Sequence, residues 1–143
     1  MAAIWTRPVD LAEITARGAG TLQGLIGIEF VDHGDEWLRA RMPVGPQVHQ
    51  PFGRLHGGAS VVLAETVASV AGSLCVPEGK VTVGMEINAN HARPARDGHV
   101  YATAPAEQRG RTTQIWTIRI GDGAGKLVCL SRMTAAVIDA AAG

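Results

Sequence analysis

His56-Gly-Gly-Ala-Ser-Val-Val-Leu-Ala-Glu65-Thr-Val-Ala-Ser-Val-Ala-Gly72 is the stretch on which the fold turns. It is small and apolar, free of proline, and long enough for several turns of helix. Pro77-Glu-Gly-Lys80 stops it, so the reading is a helix over 57–75. Its many Ala, Ser and Gly side chains let neighbouring backbone come close, as a curved sheet wrapped around it would require. Gly57 and Gly58 suit a tight turn or a close backbone approach at its start. One acid, Glu65, interrupts the run. A carboxylate in such surroundings is costly to bury unless it is paired, hydrogen-bonded or protonated, so it needs a partner or a task.

The flanks supply the sheet. Upstream, 10–17 reads as a short helix with Asp10 as its cap and Glu13 at the matching capping-box position. Gly18-Ala-Gly20 ends it, and 21–25 suits one more helical turn. The stretches 26–32 and 36–42 alternate apolar and polar residues around His33-Gly-Asp35, which is a hairpin pattern. A loop over 43–55 carries Pro46, Pro51 and Gly53. Downstream, strand-like stretches at 81–92, 99–109, 112–121 and 126–138 are separated by breaks rich in Gly, Pro and Asp. The expectation is an α+β domain occupying 1–143: two strands, one long helix, then an antiparallel meander. One curved antiparallel sheet filled by a single long helix is the hotdog fold, which the pattern permits alongside other α+β arrangements.

Composition narrows the function classes. The 143 residues suffice for one core. Hydrophobic residues make up 46% and charged residues 18%, which leaves few charges for a monomer's surface and favours an oligomer. Lys plus Arg and Asp plus Glu number 13 each, so no net field draws nucleic acid or membrane. The two cysteines, Cys75 and Cys129, sit in apolar patterns and read as buried free thiols. The first eight residues lack a secretory pattern, and no apolar stretch reads as long and uninterrupted enough for a membrane helix. A cytoplasmic protein is the expectation. His33, His99, Asp32 and Asp35 have no metal-ligand spacing, and no Gly-x-Ser-x-Gly elbow occurs.

Three motifs together carry a resemblance: His49-Gln-Pro-Phe-Gly-Arg-Leu-His-Gly-Gly-Ala-Ser60, then Val61-Val-Leu-Ala-Glu65, then Gly84-Met-Glu-Ile-Asn-Ala-Asn-His91. From about 24 to 138 the chain resembles the hotdog-fold acyl-CoA thioesterases, in the branch that uses a helix glutamate. That branch includes the Arthrobacter-type 4-hydroxybenzoyl-CoA thioesterases. The chain looks closer still to small bacterial enzymes acting on 1,4-dihydroxy-2-naphthoyl-CoA or proofreading aryl carriers in enterobactin synthesis. The resemblance implies hydrolysis of an acyl-CoA thioester, with an aromatic acyl group favoured. It implies no metal and no cofactor beyond the coenzyme A of the substrate. It also implies a dimer whose sheets join and whose sites draw on both chains, and a tetramer of two such dimers.

Roles carry over residue by residue. Glu65 matches the base that activates water or the nucleophile that attacks the carbonyl; a carboxylate in a dry setting suits either. Gly57 has only its backbone to offer. A free N–H at a helix start, where the dipole favours negative charge, suits the oxyanion of an attacked thioester. Gln50 matches a glutamine that holds the attacking water or the carboxylate, since an amide donates and accepts at once. His56 matches a histidine that positions the glutamine and the loop, though a structural hydrogen-bonder reads equally well there. Ser69 lies one turn beyond Glu65, close to the acyl group by resemblance, or bonded back to its own helix. His91, Ala92, Arg93 and Pro94, with Gln108, Arg109, Gly110, Arg111, Thr112 and Thr113, match stretches that contact the coenzyme, with Gly84 nearby. Arg93, Arg96, Arg109 and Arg111 suit its phosphates, or are solvated surface charges.

Two other readings of the same residues stay open. A hotdog hydratase or dehydratase would pair a loop histidine directly with the helix acid. An acyl-CoA-binding module of the same fold would need no carboxylate in its tunnel.

Overall fold

The computed structural model describes residues 2–140 and contains the central helix, α3, at Gly57–Leu74. Before it come α1 (Leu11–Arg17), a one-turn α2 (Leu22–Leu25), strands β1 (Glu29–His33) and β2 (Trp37–Pro43), and a 3-10 turn at Pro46–Val48. After it come β3 (Lys80–His91), β4 (His99–Arg109), β5 (Thr113–Gly121) and β6 (Leu127–Asp139). The Asp10 cap is real: its side chain accepts from the Glu13 N–H at 3.1 Å. The first hairpin starts later than its apolar pattern suggests. Ile26 closes α2 and Gly27 takes a positive φ of 78°, so the chain turns before β1 can begin.

All six strands pair antiparallel in one sheet, ordered β1-β2-β4-β5-β6-β3. This corrects the expected four-strand meander. Only β4, β5 and β6 follow one another across the sheet; β3 lies at the far edge beside β6, and β4 lies beside β2. The connections explain it. The breaks at 110–112 and 122–126 are tight and force neighbours to pair, whereas 92–98 is long enough to cross the sheet.

The sheet closes around α3, giving the hotdog form. Leu63, Ala64, Val67, Ala68 and Ala71 are fully buried against Leu38, Ala40 and Met42 of β2, Val100, Ala102 and Ala104 of β4, and Trp116, Ile118 and Ile120 of β5. The strand residues alternate inward, as the period-two pattern requires. The small face of α3 lets strands come very near. A Cβ on Gly72 would sit 2.6 Å from both Gln114 Oε1 and Thr82 Oγ1. Those atoms are held in turn: Trp116 Nε1 donates to Gln114 Oε1 at 2.8 Å, and Thr82 Oγ1 donates to the Ser69 carbonyl at 2.9 Å.

The absence of a membrane-length apolar helix, expected from sequence, needs correcting. By length and composition α3 qualifies. A helix sheathed by a sheet needs the same apolar run as one sheathed by lipid, and α3 is the core helix here. Cys75 and Cys129 are free and buried, and burial pushes both thiols above their ordinary range. At the edge, β3 presents twelve residues, with Val83 44% and Met85 63% exposed. A long strand with one edge unpaired and apolar side chains exposed on it is unusual in a chain that works alone.

Candidate active site

The start of α3 is built by the residue before it. The His56 Nδ1 accepts from the Gly58 N–H at 2.8 Å, capping the helix, and the His56 carbonyl accepts from the Ala59 and Ser60 N–H groups. His56 therefore positions the helix start, as one of its two readings holds. Among the described residues, the N–H of Gly57 finds no acceptor, which leaves it as the free donor at the positive end of the helix. A Cβ at 57 would lie 2.8 Å from His91 Nε2, so the imidazole would have to move to admit a side chain there.

Gln50 stands in the loop ahead of the helix. Its Oε1 accepts from the Phe52 N–H, so the amide oxygen is engaged in the loop and the NH2 group remains to donate. The oxygen keeps a second lone pair, so the amide can still donate and accept. Two hydrogen bonds lace this loop to the segment after β3: the Leu55 N–H donates to the Ala95 carbonyl at 2.7 Å, and His49 Nε2 lies 2.8 Å from the Arg96 carbonyl. An open cleft of about 340 Å³ lies between the two segments. It brings together Gln50, Gly57, His91, Ala92, Arg93 and Pro94 of the expected residues. Arg54 and Ser60 also line it and were missed by the sequence reading. Arg96 contributes its carbonyl to the lacing rather than its guanidinium to the cleft.

Glu65 lies further along α3, half-buried, and forms no ion pair among the described residues. It is packed on β3: a Cβ at Gly84 would run into its Oε2. Gly84 thus makes room for the carboxylate. The register of β3 against β6 shifts between Gly84 and Glu86, so a bulge sits beside the acid. Ser69 follows one turn later, but its Oγ donates to Met133 Sδ at 3.7 Å, a contact under the sheet that neither reading of it anticipated.

The remaining expected coenzyme residues lie elsewhere. Arg109, Gly110, Arg111 and Thr112 border a second hollow of about 420 Å³ beside Cys75 and Lys80, at the C-terminal end of α3. Gln108 and Thr113 flank that turn, which is closed by the Gly110 N–H donating to the Thr113 carbonyl at 2.8 Å. Within one chain the two groups are separated by nearly the length of α3, about 27 Å. Gly57 and Glu65 are likewise apart by about 12 Å of helix. Among the described residues no His, Cys, Asp and Glu cluster could hold a metal ion.

The thioesterase superfamily matches the chain over residues 52–129, from the loop before α3 into β6. The 1,4-dihydroxy-2-naphthoyl-CoA hydrolase of Escherichia coli K12 is 47% identical over 94% of this chain and 99% of its own length. The proofreading thioesterase EntH of Cronobacter turicensis is 44% identical over 94% of this chain and 98% of its own. The crystal structure of a thioesterase from Haemophilus influenzae superposes with a TM-score of 0.93 at 46% identity, covering 95% of each chain.

Proposed function

The chain belongs to the thioesterase superfamily and is a thioester hydrolase, and from that premise we propose that its substrates are aromatic acyl-CoA esters hydrolysed at a site shared by two copies of the chain. One observation carries the reading. An unpaired carboxylate, Glu65, rests on a glycine of the bare edge strand, while a free helix-start amide, Gly57, sits too far along the same helix to serve it. Each half-site is whole in itself and lacks the other.

Two β3 edges meeting antiparallel about a twofold axis supply what is missing. The pairing reverses strand direction, so the His91 end of one β3 lies beside the Lys80 end of the other. That carries the Gln50–Gly57 cleft of one copy toward Glu65 of the second. The same reversal draws the 91–94 segment of one copy toward the 108–113 turn of the other, so one coenzyme spans both. Exposed Val83 and Met85 are covered in the process.

In the paired site the thioester carbonyl oxygen accepts from the Gly57 N–H. Glu65 of the second copy takes a proton from the attacking water, or attacks the carbonyl carbon itself. Negative charge gathers on the carbonyl oxygen, where the amide and the helix dipole stabilise it. The Gln50 NH2 donates to the carboxylate or to the water's oxygen. When Glu65 acts as base, the coenzyme leaves as its thiol with the proton Glu65 took from water. When Glu65 attacks, the thiolate leaves and takes a proton from solvent, and water then hydrolyses the mixed anhydride to free acid and carboxylate. Glutamate, amide and water suffice, with no metal or bound cofactor. The acyl group we favour is a hydroxylated aromatic such as 1,4-dihydroxy-2-naphthoyl, the group in the name of the Escherichia coli relative. Aryl groups on a carrier protein are the second reading, favoured by the EntH relative.

Steady-state hydrolysis of 1,4-dihydroxy-2-naphthoyl-CoA and benzoyl-CoA by wild type and Glu65→Gln tests the proposal. Loss of a general base lowers kcat by about 100- to 10,000-fold. A variant that turns over at the wild-type rate removes Glu65 from the mechanism.

A further inference from the structure

The cleft beside Gly57 contains a residue that neither the motifs nor the proposed chemistry uses. Arg54 lies three residues ahead of the helix start and lines the cleft with Arg93, Gln50 and His91. Its Nε is buried and has no hydrogen-bond acceptor. Among the described residues, its guanidinium forms no ion pair. A buried guanidinium nitrogen without an acceptor is costly and uncommon in a native protein. Arg41 also has an unpartnered Nε, but its guanidinium reaches Glu29 at 3.4 Å. No carboxylate lines the Arg54 cleft.

We infer that Arg54 and Arg93 form a two-guanidinium clamp for phosphate groups of the coenzyme, and that Arg54 makes the enzyme favour coenzyme A esters over esters lacking the nucleotide. The inference rests on the acyl-CoA reading above. Arg93 is within electrostatic reach of Asp122, but no acid lines the cleft beside Arg54, and in an aryl-CoA ester the fixed anions are the phosphates. Arginine suits them because its fork gives paired hydrogen bonds to phosphate oxygens. The clamp is also held in shape. The Arg54 carbonyl accepts from the Gln50 N–H at 2.7 Å, and the Leu55 N–H donates to the Ala95 carbonyl at 2.7 Å. The segment carrying Arg54 is thereby tied to the segment carrying Arg93, whose own N–H donates to the Val128 carbonyl at 3.3 Å. The backbone segments that carry the two arginines are so held together with no substrate bound.

The experiment compares benzoyl-CoA, benzoyl-dephospho-CoA and benzoyl-pantetheine as substrates for wild type, Arg54→Met and Arg54→Lys. Arg54→Met raises KM for benzoyl-CoA about tenfold, the scale of one lost charged hydrogen bond, and leaves benzoyl-pantetheine unchanged. Arg54→Lys keeps the charge without the fork and gives a smaller rise, again confined to the phosphate-bearing esters. The dephospho ester identifies the phosphate: a retained effect assigns the diphosphate, and a lost effect assigns the 3′-phosphate. Equal losses on benzoyl-CoA and benzoyl-pantetheine overturn the clamp and move Arg54 to the reacting carbonyl or to loop structure. Unchanged KM for benzoyl-CoA in both variants overturns it as well. Wild-type enzyme inactive on every coenzyme A ester would instead reject the acyl-CoA reading itself. Should Arg54→Met fold poorly, the Lys variant and calorimetric binding of free coenzyme A decide the matter by the same criteria.

Discussion

At the scale of single residues, the site depends on what glycine leaves out. Gly84 has an ordinary backbone conformation, so alanine is not strained there. The added methyl meets only the far end of the Glu65 side chain, which can swing aside. Gly84→Ala is therefore expected to hold the wild-type melting temperature within a few degrees, with stability changed by less than about 0.5 kcal/mol. It is expected to lower kcat by about 100-fold, the cost of misplacing a reacting group by an ångström. Parallel thermal melts and turnover measurements check this; a fall in melting temperature that accounts for the lost activity would refute it. Glu65 stands out in the sequence because an acid interrupts an apolar run, whereas Gly57 is singled out only by the motif around it, since a glycine there otherwise reads as a plain turn. Arg54 was not legible, because an arginine in a Pro- and Gly-containing loop looks like any solvated charge. Only the burial of one nitrogen sets it apart. The Ser69 contact with Met133 was equally hidden, since the direction of a hydroxyl is decided by a strand far away in sequence.

Among the elements, α3 carries the core and the residues of the proposed site, and its small residues bring strands within van der Waals reach. Gly72 is the tightest test of that closeness. The atoms a methyl would strike belong to Gln114 and Thr82, both buried and both holding internal hydrogen bonds. Moving them breaks those bonds, so Gly72→Ala is expected to cost about 1–3 kcal/mol. A lower denaturant midpoint at unchanged slope would show it. The helix could be read from its long, small, apolar run and the strands from their alternation. The strand order could not. Alternation marks Lys80–His91 as a strand, but its neighbour is chosen by where a long helix returns the chain. The split of the expected coenzyme residues between two ends of α3 was invisible for the same reason.

For the whole molecule, the decisive feature is the uncovered side of β3. Natural proteins seldom leave a long apolar strand open to solvent, and here it flanks the acid. A lysine at the centre of the proposed joint would repel its twin across the axis. Met85→Lys is thus expected to sediment as a monomer at concentrations where wild type is a dimer or larger, and to lose hydrolysis in the same proportion. Velocity sedimentation with activity measured on the same samples checks it. A monomeric variant of full activity would mean that each chain holds a complete site.

On the proposed shared site, the bare edge would make catalysis a matter of mass action. Well below the pairing constant, the number of working sites would then rise with the square of the chain concentration, so a twofold change in expression would move hydrolytic output about fourfold. Newly made chains would stay silent until they found one another, and dilution alone would switch the enzyme off.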